Sequence, residues 1–151
     1  MVAFYLHTMN YVQQVEIRWS DLDPNFHLRH SVYYDFGAYC RVCFLDDNGI
    51  TAEVMTKHFI GPILFREECL FKREIKFGDR ISINLKMKSI TANGKKWSMI
   101  HELLKDGQIL CAVITIEGAW MNTQLRKIIA PPEIFMIALE KMPKTENFQI
   151  L

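Results

Sequence analysis

The sequence contains no long apolar run and no large excess of charge. A membrane-spanning helix needs about 18 consecutive apolar residues, and no such run occurs among the 151 residues. The formal net charge is +1, from 18 Lys and Arg against 17 Asp and Glu, whereas broad nucleic-acid binding requires a clear basic excess. We therefore expect neither a membrane span nor a nucleic-acid partner.

The sequence also lacks a disulfide framework and an export signal. Cys40, Cys43, Cys69 and Cys111 follow no spacing typical of a disulfide framework, which predicts reduced thiols and a cytoplasmic protein. The first eight residues are apolar but lack the basic start and small-residue cleavage site of a signal peptide. We expect residues 1–8 to be a loose extension, with Met9 as an alternative start, and residues 1–151 to form one domain.

The first half of the chain predicts a strand followed by a long helix. Residues 11–19 alternate between apolar and polar side chains, as in a half-buried strand. Ser31 can cap a helix that continues to about Asp46 and stops at Gly49. Apolar residues cover almost the whole circumference of this helix, so we expect it to be buried. Residues 50–60 fit a loop or a short second helix.

The second half alternates with a period of two and therefore predicts strands. One strand is predicted over residues 63–77, ending at the Gly78-Asp79 turn, and Asn93-Gly94 and Asp106-Gly107 are hairpin signals. Pro131-Pro132 opens a short helix through about Lys141. Because a sheet with one apolar face must cover it, the long helix at 31–46 is its natural partner. The sequence predicts an α+β fold in which a curved antiparallel sheet is wrapped around one long buried helix.

The segment between the first strand and this helix is rich in titratable side chains. Residues 19–27 have the sequence W-S-D-L-D-P-N-F-H, and His30 lies three positions after His27. A carboxylate or imidazole here can activate water, and the helix that begins near Ser31 offers unpaired N–H groups to an oxyanion. Two other interpretations stay open: Asp21, Asp23 and Asn25 as turn and cap residues, or a metal site from His27-x-x-His30 with Asp23.

This segment resembles the active-site segment of the acyl-ACP thioesterases, W-S-D-x-D-x-N-x-H-V-N-N. More broadly, Asp21-x-Asp23 and His27 resemble the D-x-D-x-x-G-H-V-N-N stretch of the 4-hydroxybenzoyl-CoA thioesterase group. Residues 71–79, F-K-R-E-I-K-F-G-D, resemble the second landmark of these families, Y-x-R-E-x-x-x-G-D. The resemblance covers roughly residues 10–130 and implies the hotdog fold, the architecture that the periodicity also predicts.

The resemblance also implies roles for individual residues. Asp23 matches the catalytic aspartate of both groups. Asn25, His27 and Glu74 match the amide, imidazole and downstream glutamate of the acyl-ACP type, whereas His30 stands at a histidine of an acyl-CoA subgroup. The motif match favours the first set. Phe26 and the Arg29-His30 pair depart from the family patterns, which leaves the substrate open.

The expected activity is therefore hydrolysis of an acyl-CoA or acyl-ACP thioester, with no cofactor and no metal. The resemblance further implies a homo-oligomer, at least a dimer, whose sites lie between subunits. A non-catalytic acyl-thioester-binding regulator is the alternative, because hotdog domains serve both purposes. A dehydratase is disfavoured because no H-x-x-x-G-x-x-x-x-P run is present.

Several remaining residues have plain structural interpretations. Cys40 and Cys43 lie inside the helix and fit core packing, and His58 and His101 fit ordinary core or surface positions. Glu67 falls on the apolar side of its strand. Three interpretations are open: a second acid in the site, a residue of a dimer interface, or the sign of a β-bulge that shifts the alternation. Lysines that share one strand face are either solvated or in contact with CoA phosphates: Lys72, Lys76, Lys86 and Lys88.

Overall fold

The computed structural model describes residues 10–151. The predicted loose extension and Met9 lie outside the described residues. The helices are α1 (Val32–Asp47), α2 (Ala52–Lys57) and α3 (Glu133–Glu140). The strands are β1 (Val12–Val15), β2 (Ile60–Phe71), β3 (Ile81–Asn84), β4 (Lys86–Ile90), β5 (Lys96–Lys105), β6 (Ile109–Asn122), β7 (Lys127–Ile128) and β8 (Lys144–Ile150).

The strands form one curled sheet whose centre is β5 and β6. β6 pairs with β5 on one side and with β2 on the other. The start of β5 pairs with β4 and its end with β3, so these two short strands together fill one position in the sheet. β1 continues the sheet beside β3, and β8 does so beside β4. All pairs are antiparallel except β4 with β8, which confirms the predicted sheet.

The helix α1 packs one face against this sheet. Its buried residues are Val32, Tyr33, Gly37, Cys40 and Phe44. Tyr39 and Val42 on the opposite side are exposed. The hotdog arrangement is thus confirmed, but the prediction of a helix buried on nearly all sides is wrong for the single chain. The curled sheet covers only one side of a helix, so apolar residues on the other side remain uncovered.

Both hairpin signals and the short final helix are confirmed. Gly94 has φ +74°, and Asp106 and Gly107 have φ values of +52° and +69°, the left-handed conformation that tight hairpin turns need. A Cβ at Gly94 would overlap Met136 Sδ, so any other residue there would have to displace the end of that flexible side chain. The 52–57 segment is the short second helix, with the Thr51 hydroxyl capping it through Val54 N–H at 3.2 Å.

The single strand predicted over residues 63–77 is wrong in two respects. The pairing of β2 with β6 shifts at Phe65, between Leu64 and Arg66, and this β-bulge changes which side chains face inward. The strand then ends at Phe71, because the N–H groups of Lys72 and Arg73 both donate to the same carbonyl, Cys111 O, at 2.8 and 3.0 Å. Residues 72–75 are therefore irregular, which places Glu74 in a loop.

The chain after α3 adds a strand that the sequence pattern did not predict. β8 follows Pro143 directly and runs parallel to β4, with Met87 N–H donating to Pro143 O at 2.7 Å. Its residues are mostly polar and exposed. The strand therefore shows little of the apolar–polar alternation by which strands are recognised. Among the residues described, no helix is long and apolar enough to cross a membrane.

Candidate active site

The loop before α1 is closed around the carboxylate of Asp23. Asp23 Oδ1 accepts hydrogen bonds from the N–H groups of Asn25 at 2.8 Å and His27 at 3.1 Å. Asp23 N–H in turn donates to His27 O at 2.8 Å. Within residues 10–151, Oδ2 of Asp23 has no hydrogen-bond partner. One carboxylate oxygen thus shapes the turn and the other is free to react.

Asp21 has a different role from Asp23, although the two share the D-x-D motif. Its side chain is buried and accepts from the Arg18 guanidinium at 2.8 and 3.2 Å and from Arg18 N–H at 2.9 Å. These hydrogen bonds hold the pKa of Asp21 below its ordinary 3.8. Asp21 therefore keeps the start of the loop in place.

A two-stranded contact brings His27 to Glu74. Leu28 N–H donates to Ile75 O at 2.7 Å, and His27 pairs with Lys76 in an isolated bridge. His27 Nε2 consequently lies 3.0 Å from Glu74 Oε2. Lys76 Nζ contacts the other oxygen of Glu74 at 3.1 Å, and this contact, followed by His27, holds the pKa of Glu74 below its ordinary value. Glu74 is an ionised partner for the imidazole.

Four of the five predicted site residues line one open depression of about 380 Å³: Asp23, His27, His30 and Glu74. The fifth, Asn25, is exposed and does not line this depression; only its backbone contacts Asp23. In the part of the chain that is described, no three His, Cys, Asp or Glu side chains are grouped to hold a metal ion. The arrangement provides a free carboxylate and an imidazole–carboxylate pair, the groups needed for proton transfer.

The N-terminus of α1 lies at this depression, but Ser31 does not cap it as predicted. The Ser31 hydroxyl accepts from Arg29 Nε at 3.0 Å and makes no hydrogen bond to the helix backbone. Ser31 has helical angles, φ −70° and ψ −25°, whereas a capping side chain needs an extended backbone. The N–H groups of Tyr33 and Tyr34 donate to no backbone oxygen within residues 10–151. They remain available to an oxyanion.

Sequence reasoning missed Tyr33 as a lining residue. Its buried ring packs edge-on against Phe71, with centroids 5.0 Å apart, and both residues line the depression. Burial raises the pKa of Tyr33 to about 12, so its phenol stays protonated. The helical pattern counted Tyr33 as an apolar core residue; its position one turn after the loop histidine was the signal that could have identified it.

A curled antiparallel sheet packed against one long helix is the hotdog fold, which solved thioesterase structures share. The sequence profile of the thioesterase-like superfamily matches residues 17–139. The chain belongs to this superfamily. No curated protein matches the sequence significantly.

Solved structures share the fold at low sequence identity. A hypothetical protein of Staphylococcus aureus in complex with CoA superposes with a TM-score of 0.83 at 15% identity, covering 95% of this chain and 88% of that one. A 1,4-dihydroxy-2-naphthoyl-CoA thioesterase from Synechocystis gives 0.77 at 13% identity, covering 88% and 97%. The DHNA-CoA thioesterase of S. aureus gives 0.78 at 14% identity, covering 87% and 89%. Such identities establish the fold alone.

Proposed function

We propose that this chain is a thioester hydrolase that acts on acyl-CoA, with Asp23 as its general base or nucleophile. The observation that carries the proposal is the free oxygen of Asp23 in the same depression as the His27–Glu74 pair. Hydrolysis needs a group that activates water or attacks the carbonyl, and a group that protonates the departing thiolate. The depression contains one candidate for each task.

The proposed reaction begins at the thioester carbonyl. Asp23 takes a proton from water, which adds to the carbonyl carbon, or Asp23 adds directly and water then cleaves the resulting anhydride. The carbonyl oxygen becomes an oxyanion facing the free N–H groups of the first turn of α1. As the carbon–sulfur bond breaks, protonated His27 gives its proton to the thiolate, and ionised Glu74 stabilises the imidazolium before that transfer.

Basic residues at the rim support a phosphate-bearing carrier. Lys72 and Arg73 line the depression beside Glu74 and can bind phosphate oxygens, for which the planar guanidinium is well suited. CoA carries several such groups, and one fold neighbour was solved with CoA. A carrier protein presents a single phosphodiester on its pantetheine arm, so acyl-ACP is the alternative substrate.

A hydrolysis screen with thiol detection tests this proposal. Acyl-CoA thioesters of increasing chain length are compared with the same acyl groups on a carrier protein. We expect turnover with at least one acyl-CoA and a higher kcat/KM for CoA than for carrier-protein thioesters. The reverse preference would assign the acyl-ACP type. Saturable acyl-CoA binding without hydrolysis would instead identify a non-catalytic regulator.

We also propose that the protein is a homo-oligomer that joins through β2. This strand has 12 residues and, within the described chain, pairs only with β6, so its other edge is open. Four of its large apolar side chains are exposed: Leu64, Phe65, Leu70 and Phe71. A long open edge with apolar side chains is a surface that monomeric proteins usually avoid. Phe71 also lines the depression, so pairing here would place a second subunit beside the site.

Light scattering after size exclusion measures this assembly. We expect no stable 17.7 kDa species at micromolar concentration. Leu70→Lys, at an exposed position of the edge strand, should weaken assembly by charge repulsion, whereas Leu125→Lys, exposed elsewhere, should leave it intact. A fully active monomer of the parent protein would contradict a shared site.

A further inference from the structure

The Tyr33 hydroxyl is a polar group of the catalytic depression that has no hydrogen-bond partner within residues 10–151. Its residue is only 3% exposed. In the described part of the chain, the unpartnered side-chain atoms that are cut off from solvent are Trp97 Nε1, Trp120 Nε1 and Thr145 Oγ1. The Tyr33 oxygen is not one of them, so it retains accessible surface. An accessible hydroxyl can bind water or substrate.

The position of Tyr33 in α1 directs its side chain towards the loop of Asp23. Tyr33 is the second residue of this helix, and helical side chains lean towards the N-terminus of their helix. The loop precedes that N-terminus, and Asp23 and Tyr33 both line the depression. Phe71 holds the Tyr33 ring edge-on, with centroids 5.0 Å apart. The hydroxyl is therefore a fixed group rather than a mobile one.

The phenol keeps its proton near neutral pH and lies within the field of Asp23. Burial is the main cause that raises the pKa of Tyr33 to about 12, and negative charge on Cys69, Cys111 and Asp23 adds to it. The phenol and the Asp23 carboxylate are thus near enough to interact. They form no hydrogen bond with each other, so the two oxygens are more than one hydrogen-bond length apart.

A water molecule between Asp23 and Tyr33 satisfies both groups. Polar groups that share a cavity without touching are commonly bridged by water. A carboxylate oxygen such as Asp23 Oδ2 only accepts, whereas a phenol oxygen accepts as well as donates. A water in this position gives one hydrogen to each oxygen. Its lone pairs then remain free to add to a carbonyl carbon.

We propose that Tyr33 holds the attacking water together with Asp23, so that Asp23 acts as a general base rather than as a nucleophile. This inference rests on the proposed hydrolase activity. The Tyr33 oxygen accepts one hydrogen of the water, and Asp23 takes the other as a proton while the water oxygen adds to the thioester carbon. The carbon–sulfur bond then breaks, and the thiolate takes its proton from His27. The phenol keeps its own proton throughout and contributes by positioning.

Tyr33→Phe removes the hydroxyl and keeps the ring that packs on Phe71. We expect kcat to fall by ~10-fold to 100-fold, with KM within a few-fold of the parent. The Kd of a non-hydrolysable acyl-CoA analogue, in which CH2 replaces the sulfur, should also stay within a few-fold. Urea unfolding should show no loss of stability, because the hydroxyl has no hydrogen bond to lose. A kcat equal to that of the parent would overturn the proposal.

The time course of CoA release separates the two forms of Asp23 chemistry. If Asp23 attacked the thioester directly, water would be needed only for the second step. Tyr33→Phe would then release one equivalent of CoA in a fast burst before slow turnover, and this result would overturn the proposal. We expect no burst, with single-turnover and steady-state rates lowered by the same factor. Tyr39→Phe, the same change at an exposed position of α1 outside the depression, is the control and should match the parent.

A double variant tests whether Tyr33 and Asp23 act on the same water. Tyr33→Phe added to Asp23→Asn should lower kcat by less than ~3-fold further, because groups that act as a unit are not additive. Independent losses that multiply would overturn the proposal. An active parent with an unimpaired Tyr33→Phe variant would refute this inference alone. A parent that hydrolyses no acyl-CoA would refute the hydrolase activity and this inference with it.

Discussion

Two histidine–charge clusters in this protein differ in their access to solvent. In the catalytic depression, His27 contacts Glu74 with side chains 34% and 53% exposed. In the interior, His101 is fully buried and contacts Arg41. The hydrogen-bond distances are the same, 3.0 Å in each pair. Only the exposed pair can exchange a proton with substrate and water.

The comparison shows that a strongly shifted pKa is not by itself a mark of chemistry. Burial, followed by the charge of Arg41, lowers the pKa of His101 to about 3. That shift fixes one neutral tautomer and thereby orients Arg41. Perturbed groups often do cluster at active sites, but structural networks perturb pKa values too. Access and the free oxygen of Asp23 are better guides here.

The largest effects that separate the two clusters should come from the exposed pair. We expect His27→Ala and Glu74→Gln each to lower kcat by ~10-fold to 100-fold, because general acid catalysis and the stabilisation of the imidazolium are lost. His30→Ala should cost less, since His30 lines the depression without contacting Glu74. Steady-state kinetics with one acyl-CoA measure all three variants.

His58→Ala is a matched control, because His58 packs against Phe135 and does not line the depression. The opposite ranking, with His30→Ala the most damaging, would transfer the proton-transfer role to His30. It would also leave the acyl-ACP-like motif without a catalytic meaning for His27 and Glu74.

Substitutions in the buried cluster should change the stability of the protein rather than its rate of hydrolysis. Below pH 6.5 the unfolded chain protonates His101 whereas the folded chain does not until about pH 3, so the stability contributed at neutral pH is lost as pH falls. Between pH 7 and pH 5 this linkage amounts to about 2 kcal/mol. Urea unfolding at these pH values should show a smaller loss in His101→Gln, whose amide can keep both hydrogen bonds.

A parent and a His101→Gln variant with the same pH dependence would contradict a neutral buried His101. His58→Ala again serves as the comparison and should keep the slope of the parent.

The smallest effect should come from Asn25→Ala. The Asn25 side chain is exposed outside the depression, and only its backbone N–H contacts Asp23. We therefore expect kcat to fall by less than ~5-fold, against the ~100-fold scale of a positioned proton acceptor. A loss as large as that of His27→Ala would show that the amide reaches the substrate and would restore the role implied by the family resemblance.

Much of the fold could be predicted because local signals agree with it. The long helix has a clear apolar run, and the hairpins depend on turn residues such as Gly94, whose left-handed backbone conformation favours glycine. The bulge at Phe65 and the end of β2 depend on pairing with β6, which periodicity within a single strand does not report. β8 is mostly polar because it lies at the edge of the sheet.

The candidate site was predictable to the extent that it is local in sequence. The loop motif identified Asp23, His27 and His30, and the second motif supplied Glu74 for a tertiary contact. The distinct tasks of Asp21 and Asp23 depend on Arg18, three positions away from Asp21, and on the direction of the turn. The position of Tyr33 at the depression depends on packing between α1 and distant strands, so no single segment of sequence indicates it.

The most direct test of the account is the Asp23→Asn variant, assayed for acyl-CoA binding and hydrolysis on the same preparation. Asn keeps the oxygen that accepts from Asn25 and His27 N–H but replaces the free Oδ2 with an amide. Asp46→Asn, at an exposed position of α1, is the control. We predict binding within a few-fold of the parent and turnover lower by at least ~100-fold. Turnover close to that of the parent would contradict the assignment of Asp23 and the proposed mechanism with it.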